Sequence, residues 1–97
     1  MSDAVEKGRG RNPDDAVWES SLRDLVDYLA RGLVDHPEQV EVEEIEEPDA
    51  LVFELKVAEE DLGKVIGKQG RTAKALRTIL SAASAKSRRR VILEILE

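Results

Sequence analysis

Residues 65–76 read VIGKQGRTAKAL. Gly67 and Gly70 stand three apart between two apolar half-turns, with Lys68 and Gln69 between them. A glycine inside a helix costs roughly 0.5–1 kcal/mol relative to alanine. Two of them so close predict a corner at which one helix stops and the next begins. Gly67 can end the first helix in a left-handed conformation that a side chain would disfavour. Gly70 opens the second, whose first amides have no partner inside the helix. Those amides, the helix dipole, Lys68 and Arg71 together make an anion site. With no Cβ at either glycine, a sugar–phosphate backbone can approach to van der Waals distance.

Other glycine motifs do not fit. A P-loop needs four residues between its first glycine and the Gly-Lys pair, followed by Ser or Thr. Here three residues separate Gly63 from Gly67, and Gln69 follows Lys68. A dinucleotide fingerprint would need glycine where Lys68 stands. The Gly63–Gly67 spacing matters in membranes, but this stretch is too charged for one. Nothing builds a pocket for a base with a triphosphate, so the ligand suited to the corner is a phosphodiester chain.

Outward from the corner, Leu62, Val65 and Ile66 make a short helix before it. Arg71 to about Lys86 makes the longest clear helix after it, with Ala73, Leu76, Ile79, Leu80 and Ala83 as its apolar stripe. Arg71, Lys74 and Arg77 project to the other side. The β-branched run VILEILE then reads as a closing strand. Upstream, Val40, Val42 and Ile45 against glutamates form a strand with one wet face, and LVFELKVA alternates as its hairpin partner across an EEPDA turn. Before these, Leu22, Leu25, Val26, Leu29, Leu33 and Val34 form a helix of about four turns, capped by Ser20 or Ser21 and ended near Asp35-His36-Pro37. His36 reads as a turn residue. Residues 1–19 lack a sustained period and read as a disordered leader, with Val17 and Trp18 docking on the first helix. The order is α-β-β-α-α-β, an α+β domain over residues 20–97.

The chain has 97 residues, no cysteine and a formal net charge of −6. Its size gives one domain, and the absence of cysteine leaves no disulfide framework or thiolate metal site. No signal peptide and no spanning apolar run are present, so the expected address is cytoplasmic. The charge is split along the chain. Residues 1–63 carry 6 basic and 19 acidic side chains, whereas residues 64–90 carry 9 basic and no acidic ones. A basic face of that kind attracts polyanions whatever the total. No set of residues suits acid–base or nucleophilic catalysis, since the single histidine precedes a proline and the carboxylates lie in solvent-facing runs. No cofactor is implied.

With GKQG between two helices and a strand at either end, the sequence resembles the KH domains, RNA-binding modules whose GXXG loop clamps about four backbone nucleotides. The element order resembles their type II form, in which a three-stranded sheet is packed on one side by three helices. The segments DLVDYLARGLVDHPEQVEV and VAEEDLGKVIGKQGRTAKALRTILSAASAK are similar to the small bacterial proteins made of one such domain. The resemblance covers about residues 20–97. It implies that Gly67, Lys68, Gln69 and Gly70 hold single-stranded RNA, that Ile66 and Ala73 line an apolar floor under the bases, and that Lys64, Arg71, Lys74 and Arg77 steer phosphates. It implies dimers, either with itself or with a larger KH-containing RNA-binding partner. It also implies work as a post-transcriptional regulator or RNA chaperone linked to cell division and envelope growth. The loop from Glu46 to Asp49 is acidic and borders the far side of the groove, which opposes tight binding. Arg88-Arg89-Arg90 reads as a solvated turn. No aromatic residue lies in the groove segment, so stacking worth roughly 1–3 kcal/mol per base is missing and affinity is modest. A protein-only adaptor of the same fold, and single-stranded DNA in place of RNA, stay open.

Overall fold

A computed structural model describes the backbone of residues 13–97 and the side chains from residue 21 onward. Helix α1 spans Pro13–Leu33, β1 Glu41–Glu47, β2 Ala50–Lys56, α2 Leu62–Ile66, α3 Arg71–Ala83 and β3 Arg90–Ile95. Single 3₁₀ turns at Pro37–Gln39, Glu59–Asp61 and Lys68–Gly70 join them. The order is the α-β-β-α-α-β expected from the sequence.

Two helix ends differ from expectation. α1 starts at Pro13 and runs through Ser20 and Ser21, so neither serine caps it and residues 13–19 are helical rather than part of a leader. The start carries a proline followed by Asp14 and Asp15, residue types that suit a first helical turn. The expectations for residues 1–12, and for the Val17 and Trp18 side chains, fall outside the described residues. At the other end, α3 stops at Ala83, three residues early. Ser84 donates its hydroxyl to the Ser81 carbonyl at 3.1 Å, a local bond that competes with helix continuation.

β2 is the central strand. It pairs antiparallel with β1 through a two-residue Pro48-Asp49 turn, and parallel with β3. Leu51, Phe53 and Leu55 of β2 are completely buried, as are Leu22, Ala30 and Val65 to within 1%. Val26, Val40, Val57, Leu76, Leu80 and Leu93 complete this cluster, which joins the sheet to the helices. Each buried Leu, Val or Phe side chain among them contributes about 1.5–3 kcal/mol.

Strand parity corrects one reading. Val42 lies in register with Leu55 and Ile95, whereas Ile45 lies in register with Val52 and Ile92 on the opposite face. The outer face therefore carries its own apolar row, which explains why Val52 is buried without belonging to the main core.

Parallel pairing of β2 with β3 requires a crossover, and α2, the GKQG corner and α3 supply it. The GKQG corner consequently lies at the end of the sheet where β2 finishes. The Pro48-Asp49 turn lies at the other end, beside the start of β3, where the Arg90 amide donates to the Asp49 carbonyl at 3.3 Å. α3, with 13 residues, separates the two ends by about 20 Å.

Candidate nucleic-acid interface

The GKQG corner is shaped by its backbone. Gly67 has φ 79° and ψ 170°, Gln69 φ 57° and ψ 26°, and Gly70 φ 74° and ψ 14°. These are the three positive-φ residues among the described part of the chain. Gly67 is thus extended rather than left-handed helical, a region open essentially to glycine alone. Its amide still closes α2 by donating to the Gly63 carbonyl at 2.8 Å. A Cβ at Gly67 would collide with Thr72 Oγ1 and lie 2.7 Å from its Cβ and 2.8 Å from its backbone nitrogen. Gly70 has open space where its Cβ would be, so its conformation alone demands glycine. Gly70 precedes α3 in a left-handed conformation, and no side chain caps the helix. The first turn of α3 thus presents amides to whatever lies over the corner.

Around this frame, the basic residues fall into two groups. Lys68, Arg71 and Lys74 are exposed, and among the described residues none forms an ion pair or side-chain hydrogen bond. Gln69 is exposed at the tip of the corner. Lys64, by contrast, sits 3.3 Å from Asp35 and 3.5 Å from Asp61. The bond to Asp35 and its charge, reinforced by Asp61, raise the Lys64 ammonium above its ordinary value. Arg77 donates from Nε to the Leu93 carbonyl at 3.2 Å, fastening α3 to β3, the edge strand beside it. Ile66 is half-buried, and Ala73 is only 5% exposed, which leaves it little surface to offer a base.

Two residues, Thr72 and Asp61, shape this region without standing out in the sequence. Thr72 fills the space behind Gly67. Asp61 is completely buried and accepts from the amides of Asp35 at 3.2 Å and His36 at 2.9 Å. Burial pushes its carboxyl up, but those two amides, Lys64 and the charge of His36 outweigh burial and hold it below the usual aspartate range. Asp61 thereby ties the α1–β1 connection to the start of α2, the helix that ends in the corner. His36 is the expected turn residue, with its ring nitrogens 3.7 Å from Glu38 and 3.5 Å from Glu60.

Arg89 differs from the solvated turn expected of it. It is 17% exposed, donates to the Glu47 carbonyl at 3.3 Å and pairs with Glu46 at 3.6 Å. The acidic hairpin end therefore has a cation of its own. Glu46 and Glu47 are the last residues of β1 rather than loop, and they lie at the far end of α3 from GKQG.

The chain's relatives carry the same description. The family described as "KhpA/KhpB, KH domain" matches residues 23–95. The RNA-binding protein KhpA of Aquifex aeolicus is 55% identical over 78 residues, 80% of this chain and 99% of that one. That of Caldanaerobacter subterraneus subsp. tengcongensis is 55% identical over 75 residues, 77% of this chain and all of its own. The protein of the same name from Clostridium acetobutylicum is 49% identical over 75 residues, with the same coverage. A matched helix–GKQG–helix corner, a β1-β2-β3 sheet and near-complete coverage of these relatives lead to one conclusion: the chain belongs to the KhpA/KhpB KH domain family.

Proposed function

We propose that this protein binds single-stranded RNA without catalysis, laying about four nucleotides of backbone across Gly67–Gly70. The observation that carries this reading is the uncapped start of α3 beneath a corner whose backbone is already bent open at Gly67, Gln69 and Gly70. Lys68 and Arg71 contact phosphate, Gln69 bonds phosphate or sugar, and Lys74 extends the rim. Ile66 supplies apolar surface at the base of the corner. Arg77, Ala73 and Lys64 act through the frame: the first holds α3 to β3, the second is buried on the inner face of α3, and the third is engaged by Asp35 and Asp61.

Affinity is modest, because an aliphatic floor offers no stacking. A second module supplies avidity, either another copy or a larger KH-containing RNA-binding protein. Among the described residues no helix is long and apolar enough to cross a membrane, and the proposed setting is the cytoplasm. There the protein acts as a post-transcriptional regulator or RNA chaperone in cell division and envelope growth, the role its resemblance implies.

Fluorescence anisotropy with a random RNA pool of about eight nucleotides tests this at low and moderate salt. Binding falls with salt at a slope near −3 for four neutralised phosphates. Lys68→Asp/Gln69→Asp weakens it at least about tenfold, while circular dichroism is unchanged. Equal binding by both proteins would make the basic helix a nonspecific patch. No binding by either would make the protein an adaptor. Tighter binding of the matching DNA pool would move the substrate from RNA to DNA.

A further inference from the structure

The connection from α3 to β3 carries the rest of the basic run, and two of its residues are fastened. The Ser87 hydroxyl accepts from the Arg89 amide at 3.3 Å and donates to the Arg89 carbonyl at 3.1 Å. The Ser87 amide donates to the Ser84 carbonyl at 2.8 Å. Arg89 is fixed to the end of β1 through Glu46 and the Glu47 carbonyl. Lys86, Arg88 and Arg90 alternate with these two residues, and all three are exposed. Among the described residues none of the three makes an ion pair or a side-chain hydrogen bond. Tying every second residue leaves the others turned to solvent. Three cations thus stand together on a backbone that needs no further ordering to meet a ligand.

A strip of α3 joins this turn to the GKQG corner. At about 100° per residue, Arg71, Lys74, Thr78 and Ser81 fall on one side of the helix, away from the buried Ala73, Leu76 and Leu80. All four are exposed, and no acidic residue occurs between residues 64 and 90. A phosphodiester crossing the strip meets two cations, then two hydroxyls, and no carboxylate. The far end is more balanced. Lys86, Arg88, Arg89 and Arg90 stand there against Glu46, Glu47 and Asp49, so cations exceed carboxylates by one. A turn of that balance holds a polyanion weakly by itself. It counts once the strand is anchored at the corner, because anchoring sets a high effective concentration of phosphate at the turn.

We propose that the α3–β3 turn is a second phosphate-binding site, at which Lys86, Arg88 and Arg90 take the continuation of an RNA strand clamped at the GKQG corner. The inference rests on the RNA-binding reading above and extends its site. The two ends of α3 lie about 20 Å apart. At roughly 3.4 Å per nucleotide of stacked strand, about six nucleotides cover that distance. With about four more at the corner, engaging both sites takes about ten. The pool of about eight nucleotides described above falls short of the turn and reports the corner alone. The chain therefore distinguishes RNA by unpaired length: short single-stranded stretches bind at the corner, longer ones at both sites.

Anisotropy of the full chain with random RNA pools of about eight and about fourteen nucleotides tests it across a salt series. The variants are Lys86→Gln/Arg88→Gln/Arg90→Gln at the turn and Lys68→Asp/Gln69→Asp at the corner. A longer strand offers the corner more registers, which raises affinity without changing the salt slope, so the slope is the deciding readout. Three further phosphates add about −2, giving the native chain about −3 on the short pool and about −5 on the long one. The turn variant removes only exposed, unbonded side chains and should unfold at the native temperature. It should keep the native short-pool affinity, return the long-pool slope to about −3, and bind the long pool at least about tenfold more weakly than the native chain. The corner variant should lose both pools. Equal native slopes on the two pools, or a turn variant that binds the long pool as the native chain does, would overturn the turn site and leave the corner standing. Long-pool binding that survives the corner variant and is lost in the turn variant would keep the turn as a phosphate site and overturn the corner as the clamp. A native chain that binds neither pool would overturn both.

Discussion

At one end of α3, Lys68 and Arg71 stand beside an uncapped helix start with no partner among the described residues. At the other end, Arg89 is largely buried, pairs with Glu46 and donates to the Glu47 carbonyl, while Ser87 Oγ bonds the Arg89 backbone on both sides. The same contrast recurs within α2 and the corner, where Lys64 is bound to two aspartates and Lys68 to none. A basic run on the sequence is therefore not one surface. Cations that hold the fold together and cations available to a polyanion are separated by what surrounds them.

The sharpest way to break this contrast is at the frame that keeps the free end open. Gly67→Ala forces a Cβ into Thr72 and a side chain into a positive-φ backbone, costing about 3 kcal/mol. Thermal unfolding should fall by more than about 10 °C, and RNA affinity should drop with it. Gly70→Ala meets no atom and should cost only about 1 kcal/mol. Equal losses at the two glycines would show that conformation, rather than the Thr72 contact, fixes the corner.

Asp61 gives a pH test of the engaged cations. Its folded carboxyl titrates below the unfolded value of about 3.9. The folded state thus binds fewer protons there, so Asp61 stabilises fully above that value. Its contribution disappears as pH falls through the lower, folded pKa. Urea unfolding should show a steeper acid loss below about pH 4 in the native chain than in Asp61→Asn. The variant should be less stable at neutral pH, because an amide oxygen cannot accept as a carboxylate does. An unchanged acid limb would mean that the buried carboxylate does not hold the α1–β1 connection.

A paired comparison then separates the two ends directly. Arg89→Ala should lower stability by about 1 kcal/mol while leaving RNA affinity and its salt slope intact. Arg71→Ala should leave thermal unfolding unchanged and reduce the slope by about 0.7. Swapped outcomes would exchange the roles of the two loops. The smallest effect is expected at the tip: Gln69→Gly relieves a left-handed residue that costs about 1 kcal/mol, offset by greater freedom in the unfolded chain. Stability should rise by a few tenths of a kcal/mol, while anisotropy reports weaker RNA binding through loss of the amide.

Much of the architecture could be read from periodicity. The alternation of Leu51, Phe53 and Leu55, the stripe of Leu76 and Leu80, and the glycine pair set the element order and the place of the corner. Ile79 was beyond that reading: its spacing fits the buried stripe of α3, yet it lies at the surface, 43% exposed. Ile45 failed similarly: a strand's two faces become distinct only when its register is known. Pro13-Asp14-Asp15 opens α1, but the surrounding glycines and charges hid that start from a periodicity reading. In the candidate site, the state of Lys64 depends on Asp35, 29 residues earlier, and that of Arg89 on Glu46, 43 residues earlier. No local pattern reports such partners.

Gln69, a non-glycine residue kept at φ 57° between two positive-φ glycines, also bears on timing. If the corner is the RNA clamp proposed above, a loop already bent in this way requires no rearrangement after encounter. The association rate then follows electrostatic steering, and falls with ionic strength. Different RNA sequences, meeting the same ready-made corner, should associate at similar rates and differ mainly in how long they stay.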